Sequence, residues 1–211
     1  MRIPKHIGII PDGNRRWAQK HQLDKQEGYT YGLKPGVQLL QRAREYGVEE
    51  LTYYGFTVDN CKRPHAQFLA FSKACVDAVS LIAKEGVSLL VVGNTESKSF
   101  PKELLPYTKE RKDIAGGGIK VNFLVNYGWD WDLSALKTSQ ESGIAGLHSH
   151  DISRMELIIR WGGMRRLSGF LPVQSVYSDF YVVDDLWPDF KPEHLDQALE
   201  WYRRQDVTLG G

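Results

Sequence analysis

Five short apolar runs, His6 to Ile10, Glu50 to Phe56, Ser88 to Val92, Ile119 to Asn126 and Met155 to Arg160, punctuate the chain at intervals long enough for a helix. Runs of this length, rich in β-branched residues, suit parallel strands buried on both faces better than an antiparallel meander. The pattern predicts an α/β fold: a central parallel sheet flanked by helices. With 211 residues and 42% hydrophobic content there is material for one substantial core and hardly for two, so residues 1–211 read as a single domain.

Leu39, Leu40, Ala43 and Val48 fall near helical spacing in the first long connection, and Gly47 offers a stop ahead of the second run. From His65 to Glu85 the apolar positions form a stripe broader than a surface helix needs. Such a stripe fits either an ordinary helix against the sheet or the wall of a greasy cavity. Glu193 to Arg204, after Pro192, reads as a terminal helix with Leu195, Leu199 and Tyr202 inward. Lys98 to Gly118 and Thr138 to Ser153 are polar and read as loops; His148 and His150 lack companion ligands at a metal-binding spacing.

The 27 Lys and Arg against 26 Asp and Glu give a formal charge of +1, too balanced for a protein that grips nucleic acid by bulk electrostatics. Any basic site must be local. Cys61 and Cys75 are the only cysteines and read as free thiols in a reducing compartment. No stretch reads as the ~20 apolar residues of a membrane span, and Met1 to His6 lacks a signal-peptide core. The expectation is a cytoplasmic protein with no transmembrane segment.

Three segments carry conspicuous polar groups just beyond expected strands: Pro11 to Trp17, Thr57 to Pro64 and Arg160 to Ser168. In a parallel sheet, loops leaving the carboxyl ends of strands converge on one crevice. A diphosphate needs forked donors around its oxygens, glycine-bordered amides and a carboxylate-held divalent cation. Arg16, Arg63, Arg160 and Arg166, with Asp12, fit that need, and the expected ligand is a phosphorylated compound. Asp184, Asp185 and Asp189 lack the spacing of a paired-aspartate metal motif and read as a surface turn.

The motifs also resemble a known family. His6-Ile7-Gly8-Ile9-Ile10-Pro11-Asp12-Gly13-Asn14-Arg15-Arg16-Trp17-Ala18 resembles the opening signature of the cis-prenyltransferases, the undecaprenyl diphosphate synthase family. Phe56 to Pro64, Asn126-Tyr127-Gly128 with Trp131-Asp132, Arg160 to Leu171, and Tyr177 to Tyr181 with Leu186 to Phe190 are similar to its later segments, in order. The resemblance implies a homodimer with a hydrophobic tunnel between the sheet and two helices. It implies that Asp12 helps hold Mg²⁺ on an allylic diphosphate, with Gly13, Asn14, Arg16, Lys25 and Arg63 around that group. Arg160, Arg166 and Ser168 would bind the acceptor's diphosphate. Arg15, Trp17, Tyr29 and Thr57 complete the expected substrate-binding set. Asn60 is the second expected catalytic residue, and Asp179 stands where the family has a metal-binding Glu. Gly210-Gly211 resembles the family's C-terminal pair, which reaches towards the partner subunit's site.

Departures from the family pattern are expected to cluster around the two substrates. Cys61 stands for Trp, Tyr29 for His, Gln67 for Glu, Val58 and Asp59 for Ser and Glu, and Trp161 for Thr. The chain is also shorter than the pattern, mainly within Lys98 to Gly118 and Thr138 to Ser153. Short tunnel walls imply a short product. The lavandulyl-type branch, including cyclolavandulyl diphosphate synthases, joins two dimethylallyl diphosphates through an unusual carbon and is the nearest subgroup. Regular head-to-tail coupling with isopentenyl diphosphate is the alternative, ahead of a non-catalytic subunit. A phosphate-handling hydrolase lacks a nucleophile with a partnered base.

Overall fold

A computed structural model describes residues 2–206. Its centre is a seven-stranded sheet in the order β4-β3-β5-β2-β1-β6-β7. The strands are β1 (His6–Ile10), β2 (Glu50–Thr57), β3 (Ser88–Val92), β4 (Lys112–Asp113), β5 (Lys120–Tyr127), β6 (Leu157–Trp161) and β7 (Asp179–Val183). All pairs are parallel except β3 with β4. The five expected runs are β1, β2, β3, β5 and β6, each within two residues at either end. The two additional strands lie at the sheet's edges, where a half-exposed strand carries little apolar signal.

The helices are α1 (Asn14–Lys20), α2 (Gly28–Tyr31), α3 (Leu33–Glu45), α4 (His65–Ala83), α5 (Trp129–Ser134) and α6 (Pro192–Arg203). Side chains alternate along a strand, so the inner strands feed two cores. On one face Ile7, Ile9, Leu51, Tyr53 and Phe123 meet Leu39 and Leu40 of α3, Val79 and Ile82 of α4, and Leu195 and Leu199 of α6. On the other, Ile10, Tyr54, Leu124 and Ile158 meet Ile152, Met155, Phe170 and Leu171 from connecting segments, with Trp131 of α5 alongside. The three long helices thus share one face, while short turns and loops cover the second.

The register of β2 against β5 slips between Tyr54 and Phe56, because Tyr54 pairs with Leu124 and Phe56 with Val125. Gly55 is the extra residue, and Phe56 therefore returns to the face already occupied by Tyr53. A bulge of this kind bends a strand and re-aims the residues beyond it. Here it falls just before Thr57.

One expectation is corrected by α4. An 18-residue window of this 19-residue helix has a mean hydropathy of 1.4, enough in length and composition to cross a membrane. Gln67, Ser72, Lys73, Asp77 and Ser80 break the apolar run into pieces without lowering its average far. The helix packs on α3 and β2 and lines an apolar cavity, with Cys75, Val79 and Ile82 buried and Leu69 left exposed. Cys61 and Cys75 are free thiols, and burial pushes the Cys75 thiol up to about 12.

Candidate active site

The chain leaves β1 through Pro11, Asp12 and Gly13, and Gly13 adopts φ +110°. A side chain there would be strained by that backbone and would bring a Cβ within 2.8 Å of Leu186. The turn swings Asp12 over the end of β6. Its Oδ2 lies 2.8 Å from Nη2 of Arg160 and 3.5 Å from Nη2 of Arg16. Arg16 also donates from Nη1 to the Gly162 carbonyl at 2.9 Å, tying α1 to the segment after β6. Gly162 lies at φ +87°, and a Cβ would collide with the Arg16 guanidinium.

Arg160 is the pivot of the site. It is 4% exposed, and its Nη1 donates to the Ser168 hydroxyl at 3.0 Å and to the Arg166 carbonyl. Tyr54, a residue the sequence motifs did not single out, donates from its hydroxyl to the Ser168 carbonyl at 2.8 Å. That bond reaches across β1 from β2 and fixes the loop carrying Ser168, which sits at φ +54°.

The third wall comes from the turn after β2. Thr57 donates its backbone N–H to Asn60 Oδ1 at 3.1 Å, which holds that turn closed. Arg63 comes next; its Nη1 donates to the Tyr29 hydroxyl at 3.0 Å, and its guanidinium lies 4.8 Å above the Phe71 ring. Burial pulls Arg63 below its ordinary value and pushes the Tyr29 phenol up.

Together these segments enclose a cavity of about 470 Å³ at the carboxyl ends of β1, β2 and β6. Asp12, Gly13, Asn14, Arg15, Arg16, Lys25 and Tyr29 line it, as do Thr57, Asn60, Arg63, Arg160, Arg166 and Ser168. Gln19, Met164 and Phe71 join them without having been expected. Six of the lining side chains are Lys or Arg, and Asp12 is the only carboxylate among them. The local field suits a multiply charged anion, although the whole chain is almost neutral. Nε of Arg160 and Nη2 of Arg16 are buried with no hydrogen-bond partner among the described residues.

Two expected residues are not brought into this cavity. Trp17 turns outward, donates to Asp189 Oδ1 at 2.7 Å and stacks on His21 at 3.9 Å between ring centres. Asp179 begins β7, opposite Leu157, whereas Arg160 lies level with Val182. Three residues of extended chain, about 10 Å, separate those levels, and Asp179 faces Arg2 at 3.9 Å instead. Within this chain Asp179, expected at a metal-binding position, therefore stands apart from Asp12.

The expected clustering of departures is corrected as well. Trp161 is fully buried against Trp187 and Phe190, on the far side of β6 from Arg160. Asp59 is exposed and paired with Lys62. Only Tyr29 and Gln67 bear on the cavity, the latter by accepting from Arg15 at 3.1 Å. Asp185 and Asp189, expected in a surface turn, both have partners: Asp185 lies 3.0 Å from His194 Nε2, and Asp189 accepts from Trp17. Gly210 and Gly211 lie outside the described residues.

No group of three or more His, Cys, Asp or Glu is arranged to hold a metal among the described residues. Magnesium nevertheless fits the donor set, because it is commonly held by one or two carboxylates and completed by phosphate oxygens and water. Asp12, a third exposed at the cavity wall, is the group that would hold it.

Comparison with known proteins agrees with this geometry. The prenyltransferase family model describing undecaprenyl diphosphate synthases matches residues 10–210. An isoprenyl transferase of Nitrosomonas europaea is 34% identical over 227 residues, covering 99% of this chain and 86% of its own. A ditrans,polycis-undecaprenyl-diphosphate synthase ((2E,6E)-farnesyl-diphosphate specific) of Coxiella burnetii is 30% identical, with coverage of 99% and 96%. Among solved structures, lavandulyl diphosphate synthase from Lavandula x intermedia, in complex with dimethylallyl diphosphate, superposes with a TM-score of 0.84 at 23% identity, covering 99% of this chain and 98% of that one. The chain is a prenyltransferase and belongs to the undecaprenyl diphosphate synthase family.

Proposed function

We propose that this prenyltransferase makes a short product, coupling two dimethylallyl diphosphates head to middle to give a lavandulyl or cyclolavandulyl diphosphate. The observation that supports the short product is the size of the apolar space behind the cationic cavity. A second void, bounded by α3, α4 and β2, shares Pro11, Asn14, Tyr29, Gly55 and Phe71 with the first but measures only about 70 Å³. For scale, a dry apolar cavity of about 150 Å³ holds a six-carbon ring. A polyprenyl tail has no room there, whereas part of a five-carbon tail does.

In this reading Arg16, Arg63, Lys25 and the Asn14 segment hold the diphosphate of the unit that ionises. Arg160 and Ser168, braced by Tyr54, hold that of the attacking unit, with Arg166 beside them. The bond between C1 and the diphosphate oxygen breaks, and the diphosphate leaves with the electron pair. The double bond of the second unit then attacks the allylic carbon, and a proton is lost. Fixed guanidiniums stabilise the charge on the departing group without reorganising at the moment of reaction. Magnesium, bound through Asp12, would supply further neutralisation of that same charge. In this reading Asn60, its side-chain oxygen tied to Thr57, supplies a polar group at the cavity wall. The reading carries with it a cytoplasmic homodimer.

Regular head-to-tail coupling is favoured by one specific observation, the names of the 30–34% identical relatives, which are isoprenyl transferases and undecaprenyl diphosphate synthases. Supplying purified protein and Mg²⁺ with dimethylallyl diphosphate alone separates the two. A ten-carbon diphosphate is expected; strict dependence on isopentenyl diphosphate would refute irregular coupling.

A further inference from the structure

Arg160 and Trp161 are neighbours at the end of β6 and point to opposite faces, the guanidinium into the cavity and the indole away from it. Trp161 is fully buried, so its indole N–H needs an acceptor inside the protein. His194 of α6 provides it. The indole Nε1 donates to His194 Nδ1 at 3.2 Å, and the Lys191 backbone N–H points at the same nitrogen from 3.3 Å. An indole only donates, so Nδ1 is the acceptor and Nε2 carries the proton. Nε2 then donates to Asp185 Oδ2 at 3.0 Å.

From Asp185 the ties run back to the site. Its carbonyl accepts from the Gly162 N–H at 2.8 Å, and the Gly162 carbonyl accepts from Arg16. Two residues on, the Trp187 N–H donates to the Asp12 carbonyl at 3.0 Å. The segment from Asp185 to Trp187 therefore holds both loops that carry the cavity's charges, and His194 fastens that segment to β6. Trp161, Asp185 and His194 themselves stand outside the cavity lining.

We propose that His194 is a positioning residue: by joining Trp161 to Asp185 it fixes the turn at Gly162, and through the Gly162 carbonyl it sets where the Arg16 guanidinium meets the diphosphate. The inference rests on the reading of the cationic cavity as a prenyl diphosphate site. The turn needs an outside hold because Gly162 and Gly163, at φ +87° and +73°, have no side chain to anchor it. The Trp that stands for the family's Thr at position 161 supplies the buried donor that His194 answers.

Calorimetric titration of the full chain with magnesium pyrophosphate reads the placement of Arg16 without requiring turnover. His194→Phe keeps an aromatic ring and removes both bonds, and the dissociation constant is expected to rise about tenfold, the scale of leaving a buried donor without an acceptor. An unchanged constant in the folded variant overturns the proposal, and so does a fall in binding sites per chain alone, the mark of a role only in folding. Asp185→Ala removes a side chain that is 56% exposed, so it answers if His194→Phe fails to fold. Asp185→Asn, whose amide oxygen still accepts from Nε2, is expected to restore most of the affinity lost in Asp185→Ala. In an Arg16→Lys background, which keeps the charge but loses the fork joining Gly162 to the cavity, His194→Phe is expected to add no further loss. An equal loss in both backgrounds overturns the route through Arg16. Failure of the wild type to bind magnesium pyrophosphate overturns the site reading itself, and the positioning role with it.

Discussion

Asp12 is the residue on which the chemistry turns, because it alone among the cavity's side chains brings negative charge to a wall of cations. It pairs with Arg160 and Arg16 and is also the carboxylate that would meet magnesium. Asp12→Asn keeps the shape and removes the charge. Product formation under saturating substrate and Mg²⁺ is expected to fall by about 10²–10³-fold, the loss typical of removing one electrostatic stabiliser of a developing charge. Turnover within a few-fold of wild type would exclude Asp12 from the metal site. The residues legible in the sequence were those with charge and a glycine-bordered turn, such as Asp12, Arg16, Arg63 and Arg160. Tyr54 and Phe71 were not, since an aromatic in an apolar run looks the same whether it fills a core or supports a loop. Trp17 misleads for the converse reason: it sits inside a charged motif, but a helix turn carries its ring outward to Asp189.

At the scale of elements, the amino ends of the strands hold a buried polar cluster remote from the site. His6 Nε2 meets Thr52 Oγ1 at 2.8 Å, and its Nδ1 meets the Ser153 carbonyl at 3.1 Å. Asn122 donates to Glu50 and Thr52 at 2.7 and 2.8 Å, Ser153 donates to Glu50 at 2.7 Å, and Arg111 donates to Asn122 at 2.7 Å. This stitches β1, β2 and β5 together below their apolar cores. Burial holds His6 below its ordinary 6.5. Burial also pushes Glu50 up, but the His6 ring, the Ser153 hydroxyl and the Asn122 amide outweigh it and hold the carboxyl below its ordinary 4.5. Both groups bind fewer protons folded than unfolded, so both contribute stability that is complete above their unfolded values and is lost as pH falls. The melting temperature is expected to decline as pH drops below about 6.5, with a further loss below about 4.5. His6→Asn is expected to flatten the first part of that decline, and an unchanged profile in the variant would remove His6 from the account. The bulge at Gly55 was not legible beforehand, because an inserted residue alters pairing without altering the apolar run in which it lies.

For the whole molecule, the parallel sheet could be read from the five runs because each strand is buried on both faces. Its edges could not, and β7 ends one of them with a side that no strand among the described residues pairs. Close to it, Val176 and Tyr177 are 62% and 65% exposed, high for large apolar side chains. The homodimer implied by the family resemblance is expected to use this edge. Tyr177→Glu should shift the protein from dimer towards monomer in sedimentation, whereas a wild type that stays monomeric at micromolar concentration would contradict it. The most direct test of the whole account is a crystal soaked with dimethylallyl S-thiolodiphosphate and Mg²⁺. The diphosphate is expected within hydrogen-bond distance of Arg16 and Arg63, the cation on Asp12, and the five-carbon tail against Phe71 and Gly55. Density for the analogue elsewhere on the molecule, or bound in that cavity with its tail turned away from Phe71, would contradict it.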